Sequence, residues 1–325
     1  MAEVLSQDEI ERLLNAINAA SVPDIFPGEQ VQAISYIHET FAILTSYSLS
    51  AHIRSRCHIH FSFIDQLTYE AFISSLPAQT TLAVINMNPL KGNAILKIGT
   101  EMTFAIIDRI CGGRGDGTKF QHGLTDIETS IINNIIVHIL GNMRKAWKPA
   151  VDIHPRVEAI HTDPQSVRID SPNEIVLSIS LETMIGETKG IMNICIPCST
   201  IEPVMEKLSN WYWNKNPDNT PSNSSEEKSE HVPKENEKKK FRSFDYFNHV
   251  DPAVFLDLFI NEHPQVIALI LAHMEADKAS VALQYLPDST QSNVLRRIAT
   301  MDRVRLEIAS EIERTLENKL VVLFH

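Results

Sequence analysis

Basic residues are in short supply in this chain: 29 lysines and arginines face 41 aspartates and glutamates, giving a formal net charge of -12 over 325 residues. Such a field repels nucleic acid as a whole, so no nucleic-acid partner is expected, although a local basic patch is compatible with it. Cysteine is scarce too. The four present, Cys57, Cys111, Cys195 and Cys198, fall at spacings that suggest no disulfide framework. The opening MAEVLSQDEIERLL carries charge where a secretory leader has an apolar run, so a reduced, cytoplasmic protein is expected. Long apolar runs are also missing: no stretch approaches the roughly 18 residues that a membrane-spanning helix needs. Hydrophobic residues are nevertheless plentiful at 43%, enough for two packed cores.

Composition marks the boundary between those cores. Asn214 to Lys240 contains Val232 as its only aliphatic residue, and a segment so polar cannot offset its ordering entropy by burial. It reads as a tether with an end-to-end distance of roughly 30 Å, or about 90 Å at full stretch. A shorter break, 19–30, holds Pro23, Pro27 and Gly28. The expected organisation is an N-terminal helix (1–18), a linker (19–30), a first domain (31–213), a disordered linker (214–243) and a second domain (244–325).

Periodicity in the first domain alternates between helix and strand. Helices are predicted over 31–49, 69–76, 102–110, 125–147 and 201–208. Strands are predicted over 53–63, 82–87, 94–98, 151–160, 167–169, 175–181 and 190–196. The second half repeats the order of the first, which implies two α/β halves sharing one largely antiparallel sheet. From residue 244 onward only helical stripes appear, such as Ile267, Ile270, Leu271 and Met274, then Val294, Leu295 and Ile298, then Val304, Ile308 and Ile312. About five stacked helices are expected there, as in a short α-solenoid.

At the N-terminus, Ser6 and Glu9 fit a capping box, while Leu5 and Ile10 fit a hydrophobic staple. Ile10, Leu13, Leu14 and Ile17 share one face. A dozen residues make a marginal helix in water, so it needs a surface. That surface is either its own domain, permanently, or a partner's apolar groove; the breaker-rich connector favours the partner.

Leu-Ser-Gln-Asp-Glu-Ile-Glu-Arg-Leu-Leu, Leu5 to Leu14, resembles the opening motif of the FliM family of flagellar motor switch proteins. Further words in the same order extend the resemblance over 31–213: Ser75 to Leu82, Met87 to Gly92, Asp108 to Gly115, and Leu124 to Glu128. From 244 onward the chain is similar instead to the middle, armadillo-like domain of the FliG family, through Asn261 to Leu271, Val294 to Thr300 and Leu316 to Leu320. The resemblance implies an α+β chain, in which a CheC-like pseudo-two-fold α/β domain precedes an all-helical armadillo-like domain.

It also implies roles. Leu5, Ser6, Gln7, Glu9, Ile10, Leu13 and Leu14 would capture phosphorylated CheY. Gly112, Gly113, Arg114 and Gly115 would meet Glu262, His263, Pro264 and Gln265 across a FliM–FliG interface, with FliG engaged in trans or through the chain's own second domain. Arg114 and Glu262, opposite in charge, are expected to approach each other. The implied setting is the cytoplasmic face of the inner membrane, peripheral to it through the rotor, beside neighbouring FliM-like subunits in a ring. FliN is not an expected partner, because no counterpart of the family's FliN-binding domain is present.

Other chemistries fit poorly. The glycines follow a helix and lack a Lys-Ser/Thr pair, so they do not form a phosphate loop; taken alone they read as a helix cap and turn. Phosphatases of the CheC-like fold use a Glu and an Asn one helical turn apart, but Ser130 and Ile131 precede Asn133 and Asn134 by three, and Ala42 follows Glu39 by three. His58 and His60 lie on the opposite strand face from Cys57, so they cannot converge with it on one metal ion. No catalytic residue, metal or cofactor is expected.

Overall fold

A computed structural model describes residues 25–115, 123–215, 258–259 and 261–323. The predicted N-terminal helix and most of the tether lie outside the described residues. The first unit begins with α1, Gly28–Ile53, and continues through β1, Cys57–Thr68, and α2, Tyr69–Ser74. β2, Thr81–Asn86, β3, Asn93–Ile98, and α3, Thr100–Ile110, complete its first half. The second half holds α4, Asp126–Trp147, β4, Arg156–His161, β5, Ile175–Ile185, β6, Thr188–Pro197, and α5, Cys198–Lys215.

The six strands form one sheet in the order β1-β5-β6-β3-β2-β4, with every neighbouring pair antiparallel. Exchanging β1 with β4, β2 with β5 and β3 with β6 leaves that order unchanged when it is read from the other edge. This is the pseudo-two-fold symmetry that the repeated element order implies. The main core lies between the helices and one sheet face, where Leu177, Ile179, Leu181, Met192, Ile194 and Ile196 are buried against residues such as Phe41, Ile107, Ile135 and Trp147.

Several boundaries differ from expectation, each for a local reason. Pro27 takes the cap position and starts α1 at Gly28 instead of breaking it, inside the predicted 19–30 linker. At the other end α1 runs through Ile53, and Arg54 closes it in the left-handed region at φ 50, so β1 begins only at Cys57. A bulge between Phe61 and Phe63 shifts the register, placing Phe63 opposite Ser180. The alternation of β1 therefore fails there, and Phe63 is 51% exposed. Residues 151–155 are not strand, although Val151 and Ile153 are buried. Val167 to Ile169 is also outside the sheet; the Val167 carbonyl accepts from the Tyr69 hydroxyl at 2.9 Å.

The second unit contains α6, Pro264–His273, α7, Ala276–Gln284, α8, Asp288–Ala299, and α9, Leu306–Leu323. Ile267, Ile270, Leu271 and Met274 are buried as expected from their spacing. On α8 the inward positions are Val294 and Arg297, while Leu295 is half exposed. Ile298 packs partly buried against the core, so of the stripe Val294, Leu295 and Ile298 it is Leu295 that fails, while the buried Arg297 lies at a position the stripe did not include.

Candidate functional site: an interface between the two units

The glycine turn grows directly out of α3. Cys111 N donates to Ile107 O at 3.0 Å, and Gly113 N to Asp108 O at 2.7 Å, which closes the helix. Gly112 sits at φ 84 and Gly115 at φ 89, a conformation that glycine adopts without steric cost. The Asp108 side chain folds back over the turn and accepts from Gly115 N at 2.6 Å. It lies so close to Gly113 that a β-carbon there would collide with its carboxylate.

The helical unit seats on this turn. Gln265 donates through Nε2 to Cys111 O at 2.9 Å. Asp302 N donates to Gly112 O at 2.8 Å. A β-carbon on Gly112 would fall 2.6 Å from Asp302 O and 2.8 Å from Met301 Cγ, so bare backbone is needed for the approach. Asp108, fully buried, forms an ion pair with Arg297, which also donates to Gln265 Oε1 at 2.9 Å. Burying two charges is costly, and here the Gly115 N–H donates to Asp108 while Arg297 donates to the side-chain oxygens of Asn293 and Gln265, which completes the pair.

A second patch forms at the start of α4. Thr125 and Glu128 make a reciprocal capping box. The same two residues bind the other unit: His263 N donates to Glu128 Oε1 at 3.1 Å, and Thr125 Oγ1 donates to Glu262 Oε2 at 2.8 Å. Lys319 on α9 pairs with Glu262 at 2.9 Å. The His263 ring stacks over Phe104 at a centroid distance of 5.9 Å. Burial, with Glu262 nearby, raises the Glu128 carboxyl to about 7, and burial also raises Glu262.

A third patch lies at the end of α1, where Arg54 donates to Arg303 O at 2.7 Å and Arg305 donates to Ala51 O at 2.9 Å. Between the patches, Ser130 donates to Glu311 Oε1 at 2.6 Å.

Of the expected interface residues, Gly112, Gly113, Gly115, Glu262, His263 and Gln265 take part in these contacts or in the turn that makes them. Pro264 occupies the first position of α6, an ordinary place for proline. The expected approach of Arg114 to Glu262 does not occur: Arg114 is exposed, and Glu262 turns to Lys319 and Thr125. The residues Leu5 to Leu14 lie outside the described residues. Sequence reasoning missed Asp108, Thr125, Glu128, Arg297, Asp302, Arg305 and Lys319, and also Arg109, which pairs with Asp302 at 3.6 Å. Asp108 did carry a signal, since it is a carboxylate that follows the apolar run Phe104 to Ile107 within a helix; Arg297, next to the exposed Arg296 on a largely polar helix, carried none.

The comparisons with known proteins agree with this two-part build. A family model described as flagellar motor switch protein FliM matches residues 28–213. The chain belongs to the FliM family. As a member it is a component of the flagellar motor switch, and a second model, the FliG middle domain, matches residues 252–324. FliM from Treponema pallidum is 48% identical over 234 residues, covering 66% of this chain and 68% of that protein. FliG from Helicobacter pylori is 40% identical over 79 residues, covering 24% of this chain and 23% of that protein. Among solved structures, a chain of the FliG–FliM complex from H. pylori aligns with a TM-score of 0.54 at 32% identity, covering 56% of this chain and all of that chain.

Proposed function

We propose that the chain is a structural component of the flagellar rotor that carries a FliG-like docking partner on its own polypeptide, and that it is not an enzyme. The observation that supports this most is the buried set Asp108, Gly112, Gly113, Gln265 and Arg297, in which the FliM-like turn and the FliG-like helix edge satisfy each other's polar groups. A solved FliG–FliM complex from H. pylori supports reading these contacts as a functional interface. In this reading Leu5 to Leu14 receives phosphorylated CheY, and the docked module passes the signal on. The tether holds the module at an effective concentration in the millimolar range, so a separate FliG must compete for the same turn. The chain sits among FliM-like neighbours in a ring on the cytoplasmic side of the inner membrane.

Fluorescent tagging of the full chain in a flagellated bacterium tests the placement. Discrete spots at flagellar bases are expected; a diffuse signal in cells that assemble flagella normally would refute it.

A further inference from the structure

Cations from both units gather around one small recess at the junction. Arg54 and Arg109 come from the FliM-like unit, and Arg303 and Arg305 from the connection between α8 and α9; His52 lines the same recess. The recess is partly open and has a volume of about 10 Å³, near that of a single water-sized particle. In an acidic chain, four arginines from the two units line one recess at their junction.

These groups are held mainly by neutral acceptors. Arg54 donates to Arg303 O at 2.7 Å, Arg109 to Gly113 O at 2.6 Å, and Arg305 to Ala51 O and to His52 Nδ1, each at 2.9 Å. The carboxylate that reaches them among the described residues is Asp302, 3.6 Å from Arg109 and itself 68% exposed. Because His52 Nδ1 accepts from Arg305, its other nitrogen carries the proton. That Nε2 and the Arg109 Nε are both buried, and neither has a hydrogen-bond partner among the described residues. Two buried N–H donors and four like charges disfavour docking unless something negative lies between them. Arg54 also holds a left-handed backbone, φ 50, which is strained for a residue with a β-carbon.

We propose that this recess binds one small inorganic anion of chloride size, which bridges Arg54 and Arg109 of one unit to Arg303 and Arg305 of the other and so latches the docked state. An oxyanion such as phosphate exceeds the recess volume and would have to sit partly outside it. The inference rests on the docked reading above, and the test separates the two.

Amide hydrogen exchange at Asp302, whose N–H is bonded to Gly112 O, is measured on the full chain in sodium chloride and in sodium gluconate at equal ionic strength. Exchange is expected to slow about tenfold at a chloride concentration ten times the dissociation constant, as mass action requires for a ligand held only by the docked state. Chloride NMR on the same protein is expected to show saturable line broadening that is lost in Arg109→Gln and in Arg305→Gln. The exposed Arg303→Gln, which leaves the buried contacts intact, is expected to weaken the broadening. Equal exchange in both salts, a response to inorganic phosphate but not to chloride, or broadening that survives all three substitutions, an adventitious ion only, overturns the proposal. Slow exchange that is equal in both salts spares the docked reading, whereas rapid exchange in every salt removes both.

Discussion

Gly112 shows how much of the interface depends on a missing side chain. Its φ of 84 and the nearness of Asp302 O leave no place for a β-carbon. In Gly112→Ala the strained backbone costs about 1–2 kcal/mol, and the clash adds a penalty only when the helical unit is docked. Proteolysis of that unit should therefore quicken in the variant while the FliM-like unit stays resistant, as limited digestion would reveal. Gly113 is required for a different reason, because it makes room for Asp108 within its own unit. Titratable residues at the interface pull in opposite directions. Burial raises Glu128 to about 7, so its contribution is present below the ordinary carboxyl range and is lost as pH rises toward 7. His52 is lowered to about 4 by burial and by His138 and Arg305, so its contribution is present above about 6.5 and is lost as pH falls toward 4. His38, buried beside Trp147 inside the FliM-like unit and lowered to about 4 by burial, acts in the same sense as His52. Between pH 7 and 5, Glu128→Gln should lose stability more steeply than the unaltered chain and His52→Gln less steeply, as melting temperatures across pH would report.

Elements carry the next level of the account. The start of α4 serves two purposes, since the Thr125 hydroxyl receives Glu128 N as a helix cap and donates to Glu262 of the other unit. Thr125→Ala should cost about 1 kcal/mol for the cap alone and loosen docking as well, whereas Thr125→Ser should keep both; chemical denaturation and interface hydrogen exchange would separate the two effects. Elements were also the most legible feature of the sequence. The long helices α1 and α4 and the shorter α6 declare themselves by apolar spacing, and β5 and β6 by alternation. The failures lie where backbone geometry overrides pattern: the left-handed cap at Arg54 delays β1, and the bulge at Phe61 and Phe63 turns a phenylalanine outward. Ile153 and Val167 are buried without belonging to any strand, so their apolar character signals the core and not the sheet.

At the scale of the whole molecule, the sequence words that single out the glycine turn and the Glu-His-Pro-Gln edge lie about 150 residues apart, and the structure joins them. Local periodicity cannot reveal such a pairing. The resemblance to FliM and FliG could suggest it, yet opposite charge alone named the wrong partner for Glu262, and Asp108 with Arg297 was passed over because their link is visible only once both units are folded. The four cysteines offer a practical opening: all are buried, and burial raises Cys57 and Cys198 to about 12 and the other two above the usual thiol range, so none competes with an introduced surface thiol. Spin labels at Tyr47→Cys on α1 and Leu295→Cys on α8, both exposed positions, would report the separation of the two units in the intact chain. A narrow distance distribution that broadens in Gly112→Ala is the predicted result. A distribution already broad in the chain with native Gly112, or one that Gly112→Ala leaves unchanged, would contradict docking of the helical unit on the glycine turn.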